Sequence, residues 1–246
     1  MLLELGHHVV LHGRHPVKLE TVRRALSDPA GTARMEGVVA DLSRLQEVED
    51  LAEAIAGRAD SLDVLINNAG VLSVADPITP EGLDVRFVVN TIAPYRLTQR
   101  LLPLMPPSGR VINVSSAAQH PFDAEALAGR TVLSDDFSVY AQSKLALTMW
   151  SRHLALQGGE ASPAIIAVNP GSMLASKMVK QAFGVEGADI RMGADILTRA
   201  ALSEDFATAN GLCFDNDRKT FTPPHPHALD PARLRSLINT LEGVVR

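Results

Sequence analysis

Cysteine occurs once in these 246 residues, at Cys213, and lysine only five times among 23 basic residues. A lone thiol cannot close an internal disulfide. A reducing compartment, the cytoplasm, is therefore expected, with Cys213 a small buried hydrophobe. Basic residues form no run and the net charge is −5. That argues against nucleic acid as the main partner, since phosphate binding needs a basic surface. No stretch reaches the ~18 consecutive apolar residues of a membrane helix. Met1–Gly6 is too short and too acidic for a signal peptide. No Gly-x-Ser-x-Gly elbow is present, which argues against a hydrolase. His225 and His227 flank one proline without acidic or Cys neighbours at ligand spacing, so no metal site is expected. What remains is a chain with 46% hydrophobic residues, long enough for one substantial core. A single domain spanning 1–246 accommodates it.

Short apolar runs alternate with longer helical patterns. Val9–His12, Val38–Ala40, Leu62–Asn67, Arg110–Val114 and Ala164–Val168 read as strands. They are nearly all apolar rather than alternating, as expected of parallel strands covered on both faces. Helices are expected over Pro16–Ser27, Arg44–Gly57, Gly82–Leu104, Ser138–Leu156 and Ala188–Leu202. Pro16 suits a first helical turn. Asp41 or Ser43 is the expected cap of the second helix, and Ser134-Asp135-Asp136 leads into the fourth. The alternation implies βαβ units and an α/β, doubly wound parallel sheet. Cys213–Phe221 reads as a short strand and a turn around Asp215-Asn216-Asp217. Pro223–Pro226 is a stiff linker, and Pro231–Leu241 a last helix.

The unusual polar residues fall just past strand C-termini, where open α/β sheets bind ligands. Tyr140 and Lys144 are four apart and share a helix face. An ammonium beside a phenol favours the phenolate and brings it closer to acid–base work at neutral pH. Ser115-Ser116 ends the fourth apolar run and offers a hydroxyl for a substrate oxygen. Asn67-Asn68-Ala69-Gly70 ends the third. It is a good turn in its own right, or a place where backbone approaches a flat ligand. Asp41 is a helix cap or an acceptor for an adenine amine. Asn90, mid-helix, is a satisfied core amide or holds a water. Asn169-Pro170-Gly171-Ser172 leaves the same sheet edge.

In this order and at these spacings, from about Leu5 to Gly171, the chain resembles the short-chain dehydrogenase/reductase family. The resemblance implies a Rossmann-like fold and hydride transfer between a nicotinamide cofactor and a small-molecule carbonyl or secondary alcohol. It makes Tyr140 the general acid/base, and Lys144 the residue that binds the nicotinamide ribose and supports the phenolate. Ser116, more than Ser115, binds the substrate oxygen, and Asn90 steadies a relay water. Asp41 and Leu42, with Asn68, Ala69 and Gly70, line the adenosine side; Pro170, Gly171 and Ser172 sit by the nicotinamide. At the end of the first apolar run stand Gly13 and Arg14 rather than an acidic residue. A guanidinium there suits a 2′-phosphate, so NADP(H) is preferred over NAD(H). The other reading of Arg14 is a solvated residue leading into a helix.

Three departures from the family pattern stand out. The 23 residues between Ser116 and Tyr140 make a long insert, similar to that of retinol-dehydrogenase-like reductases, where it covers the substrate pocket. Ala175 stands where a threonine is common, so Ser172 or Ser176 must supply the phosphate hydroxyl. The family's first strand and Gly-rich turn have no counterpart here, and Met1–Gly6 reads as the last turn of the helix that follows them, with Gly6 as its cap. The expectation is a native chain about 30 residues longer, the length of one β-turn-α unit, or a true N-terminal truncation that binds cofactor poorly. Residues 1–246 alone are expected to be unstable and weakly active. Apolar side chains Phe122, Met173, Leu174, Met178 and Phe183 are pocket or core. The two long central helices carry apolar positions beyond one face, which fits a homo-oligomer or a full core. The rival function is a non-catalytic nucleotide-sensing or protein-binding module on the same fold.

Overall fold

The structure, a computed structural model, describes residues 1–26, 34–159 and 161–245. Strand β1 (Val9–Gly13) pairs in parallel with β2 (Met35–Val39), Val9 opposite Met35. Helix α1 (Pro16–Leu26) lies between them in the chain. Ser27, its expected end, is outside the described residues. A second sheet has the order β3 (Val64–Asn67), β4 (Arg110–Val114), β5 (Ala164–Asn169), β6 (Cys213–Asp215), β7 (Thr220–Thr222). Its first four strands are parallel; β7 returns antiparallel through a hairpin. Among the described residues no strand pairs with the second edge of β1 or of β3. The two sheets are joined through a shared core of Val38, Val48, Leu51, Leu65 and Leu97, supplied by β2, β3 and two helices.

Helices cover both faces. Val111 and Ile165 face α2 (Leu45–Ala56) and α4 (Ala93–Leu101). Ile112 and Ile166 face α8 (Arg191–Leu202) on the other side, through Ile196 and Ala200. This is why the strands read as nearly all apolar rather than alternating. In α2, Val48, Leu51 and Ala52 are buried at i, i+3, i+4 spacing. Its N-cap is Arg44, which makes no side-chain cap bond. Asp41 does not cap it; the carboxylate instead accepts from Ser43 N and Oγ in its own turn.

The segment expected as one helix over Gly82–Leu104 is interrupted. Asp84 caps α3 (Val85–Phe87), a π-turn occupies Val88–Ile92, α4 follows, and a 3₁₀ turn closes at Leu104. Pro94 accounts for the break. It has no N–H and its ring crowds the carbonyl four residues back, that of Asn90. The ladder widens, and Ala93 N–H donates to Val88 O.

Helix α6 (Asp136–Gly158) starts at the Asp135 cap and is buried on every side from Ala141 to Ser151. Trp150 meets Tyr95 edge-on at 5.5 Å. Helix α9 (Pro231–Val244) covers α6 through Leu237 and Leu241. The apolar faces that fit an oligomer are thus core within one chain. The insert after Ser116 carries a short helix, α5 (Ala124–Leu127), anchored by Leu127 in the same cluster. After β5 comes α7 (Lys177–Phe183), a helix not among those expected, capped by Ser176 and ended by Gly184 at φ 68°.

Candidate active site

Three segments converge at the C-terminal edge of β3, β4 and β5. Helix α6 brings Tyr140 and Lys144, the end of β4 brings Ser115 and Ser116, and the π-turn brings Asn90. Ser116 Oγ is within hydrogen-bonding reach of the Tyr140 phenol and accepts from Ala118 N at 3.1 Å. Ser115 faces inward; its hydroxyl is 2.7 Å from Thr148 Oγ1. Of the two serines, Ser116 is the one beside the phenol.

Lys144 Nζ lies 5.7 Å from the Tyr140 ring centroid. Among the described residues its one hydrogen-bond acceptor is Val114 O, at 2.7 Å. Burial lowers its pKa to about 8. The phenol behaves differently from the expectation. Burial raises its pKa, and the Ser116 hydroxyl offsets this only in part. The ammonium adds no resolved stabilisation of the phenolate, so Tyr140 holds its proton at neutral pH.

Asn90 is 1% exposed and both of its amide N–H groups are engaged. Oδ1 accepts from Val71 N (2.8 Å), and Nδ2 donates to Val71 O (2.9 Å) and Ser143 Oγ (2.9 Å). Its side chain therefore ties the turn after β3 to α6. A Cβ built on Gly70 would lie 3.5 Å from both Asn90 Oδ1 and Lys144 Nζ. Gly70 thus leaves open the space in front of the ammonium. Lys144 has two N–H donors uncommitted beside it, which suit a hydroxyl-bearing group. The nicotinamide ribose expected from the sequence has that chemistry. Asn68 and Ala69, exposed, border this space, whereas Asn67 turns inward to Thr98 and Asn113.

At the far end of the edge, Arg14 is exposed past β1. Partial burial pushes the Asp41 pKa up, but the two bonds from Ser43, helped by the nearby Arg14 and Arg44 charges, bring it below its ordinary value. Leu42 packs against the core below. Pro170, Gly171 and Ser172 follow β5, but the Ser172 hydroxyl donates to Asp217 (2.6 Å) and Ser176 Oγ accepts from Val179 N (3.2 Å). The Ser172 hydroxyl proton is thus committed to Asp217, whereas the Ser176 hydroxyl only accepts and keeps its own proton to donate.

A cavity of about 380 Å³ opens behind Ser116, lined by Gln119, Cys213, Asp215 and His225 among others. None of Phe122, Met173, Leu174, Met178 or Phe183 lines it. Phe183 stacks edge-on with Phe137, and Met178 approaches Gly70. The sequence offered no local signal for this cavity, because its walls come from β4, α6 and the tail hairpin.

Residues 1–184 match the family model for short chain dehydrogenases. The chain is 27% identical to retinol dehydrogenase 13 of Mus musculus over 96% of its own length and 75% of that protein's. It is 30% identical to retinol dehydrogenase 12 of Homo sapiens over 75% of its length and 62% of the relative's. Among solved structures, the angucycline C-6 ketoreductase LanV with bound NADP is 28% identical, with a TM-score of 0.65 over 87% of this chain and 86% of that one. The family match runs through β1 to α7 and takes in every residue of the convergence just described, so the chain belongs to the short-chain dehydrogenase family of oxidoreductases.

Proposed function

We propose that this protein reduces a carbonyl compound with NADPH, or runs the reverse oxidation, with Tyr140 as the general acid. The observation that carries the reading is the contact between the Ser116 hydroxyl and a half-buried, protonated phenol, one helical turn from the Lys144 ammonium. When bound, the nicotinamide supplies the hydride. Ser116 holds the carbonyl oxygen by a hydrogen bond. Tyr140 donates its proton to that oxygen as charge develops there. The phenol carries its proton at neutral pH, the form that reduction needs. Lys144 binds the ribose hydroxyls through its uncommitted N–H donors. Asn90 fixes the Asn68–Gly70 turn against α6, which sets the distance between ribose and phenol. The exposed Arg14 supports a preference for a 2′-phosphate, hence NADP(H) over NAD(H); the bound NADP of the C-6 ketoreductase agrees with this choice.

The test is NADPH oxidation with a panel of ketones and aldehydes, in the wild type and in Tyr140→Phe. The variant keeps the ring and loses the proton. It should retain NADPH binding while kcat falls at least about a hundredfold, the usual scale of a general acid. Equal turnover by both proteins would refute the assignment and leave the non-catalytic module as the better reading.

A further inference from the structure

The turn Asp215-Asn216-Asp217, between β6 and β7, plays no part in the chemistry above, yet it grips the loop that leaves β5. Asp217 Oδ2 accepts from Asn169 Nδ2 (2.9 Å) and from Ser172 Oγ (2.6 Å), and Oδ1 accepts from Ser172 N (2.8 Å). Asp215 Oδ1 also accepts from Asn169 Nδ2, at 2.9 Å. Asn216 Nδ2 donates to Pro170 O at 2.8 Å, and Lys219 Nζ holds Asn216 Oδ1 at 2.9 Å. Every residue of 169–172 except Gly171 is therefore bound to this turn. Gly171 spans the two anchors at φ 125°, a backbone angle that side chains disfavour. The gripped loop is next to the chemistry: Ser115 N donates to Val168 O, and Asn169 and Asp215 line the cavity that begins at Ser116.

We propose that Asp217 is a positioning residue, whose carboxylate fixes Ser172 and with it the course of the loop Asn169–Ser172 beside Ser116. This rests on the reading of that loop as part of the active site. The residue type matters. Three donors converge on the side chain, and an ionised carboxylate, acceptor on both oxygens, can satisfy all three. An asparagine offers one acceptor oxygen and turns an NH₂ group toward donors. Partial burial pushes the Asp217 pKa up, but the donors from Ser172 and Asn169 outweigh it and keep the group ionised well into the acid range. The charge of Asp217 thus holds a loop contributed by a strand 45 residues earlier.

The experiment compares the wild type, Asp217→Asn and Asp217→Glu as full chains. Asp217 is exposed, so both variants should melt within about 2 °C of the wild type. Hydrogen–deuterium exchange at the Ser172 amide should accelerate roughly tenfold in Asp217→Asn, the worth of one charge-assisted bond. The carbonyl kcat/KM should fall by a similar factor, and Asp217→Glu, which keeps both acceptors, should recover most of it. Wild-type exchange at Ser172 in Asp217→Asn would overturn the proposal. So would faster exchange with unchanged kcat/KM, or a glutamate variant no better than the asparagine one. Absence of NADPH turnover in the wild type would instead sink the proposed reaction, and exchange alone would then decide whether Asp217 holds the loop.

Discussion

Lys144 carries an ammonium into the protein interior, and replacing it by a neutral chain of similar length should stabilise the fold while ending the chemistry. The residue is 3% exposed, and burial moves its pKa from 10.5 to about 8. At about 1.4 kcal/mol per unit, that difference puts a penalty of about 3 kcal/mol on the charged form in the folded state. Between about pH 8 and 10.5 the unfolded chain holds this proton and the folded chain has lost it. The unfolded state binds more protons there, so stability rises with pH across that window and the penalty is fully present below it. Lys144→Met removes the penalty and gives up the bond to Val114 O, worth about 1 kcal/mol. The net gain at pH 7 is about 2 kcal/mol, or about 4–8 °C in Tm for a domain of this size. The gain should shrink steadily above pH 8. Urea unfolding followed by Trp150 fluorescence at pH 7 and pH 9.5 measures both, and the same samples should show no turnover. A less stable Lys144→Met at pH 7, or a gain independent of pH, would refute the reasoning.

Two further substitutions test the edges of the site and its support. Arg14→Glu should raise the KM for NADPH at least about tenfold, since it replaces the fork that suits a 2′-phosphate by a repelling charge; NADH kinetics should change much less. Arg86 is 1% exposed and donates to both oxygens of the buried Asp84, at 2.8 and 2.6 Å, and to Asp136 at the start of α6. Arg86→Met strands the Asp84 charge and should cost about 3–5 kcal/mol in urea unfolding; a loss under about 1 kcal/mol would contradict the description of this ion pair.

The elements that were legible in the sequence are those with local causes. Arg110–Val114 is a mostly apolar, β-branched run closed by Gly109 and Ser115, and its boundaries hold in the structure. Asp135 caps α6 as its position before the helical pattern suggests. Helix α7 was missed although its punctuation is present, Ser176 before and Gly184 after, because Lys177–Phe183 has no buried residue and so no apolar stripe. The break at Asn90 was readable in principle from Pro94, but its form, a π-turn, depends on what the surrounding core accepts. Asp41 was misassigned as a cap because proximity in sequence does not say which N–H a carboxylate will meet.

The residue order by itself determined that a phenol and an amine share one helix face and that a hydroxyl ends a parallel strand, because helix and strand periods are properties of a few consecutive residues. It likewise placed all of these at one sheet edge, through the handedness of the crossovers. Only the tertiary structure decided that the amine is sunk far enough to lose its proton near pH 8 and that the phenol keeps its own. It alone decided that α9 covers α6, and that Ser172 answers to Asp217 rather than to a ligand. Burial and partnership of this kind are set by chain segments that meet only when the sheet assembles, and no local pattern encodes them.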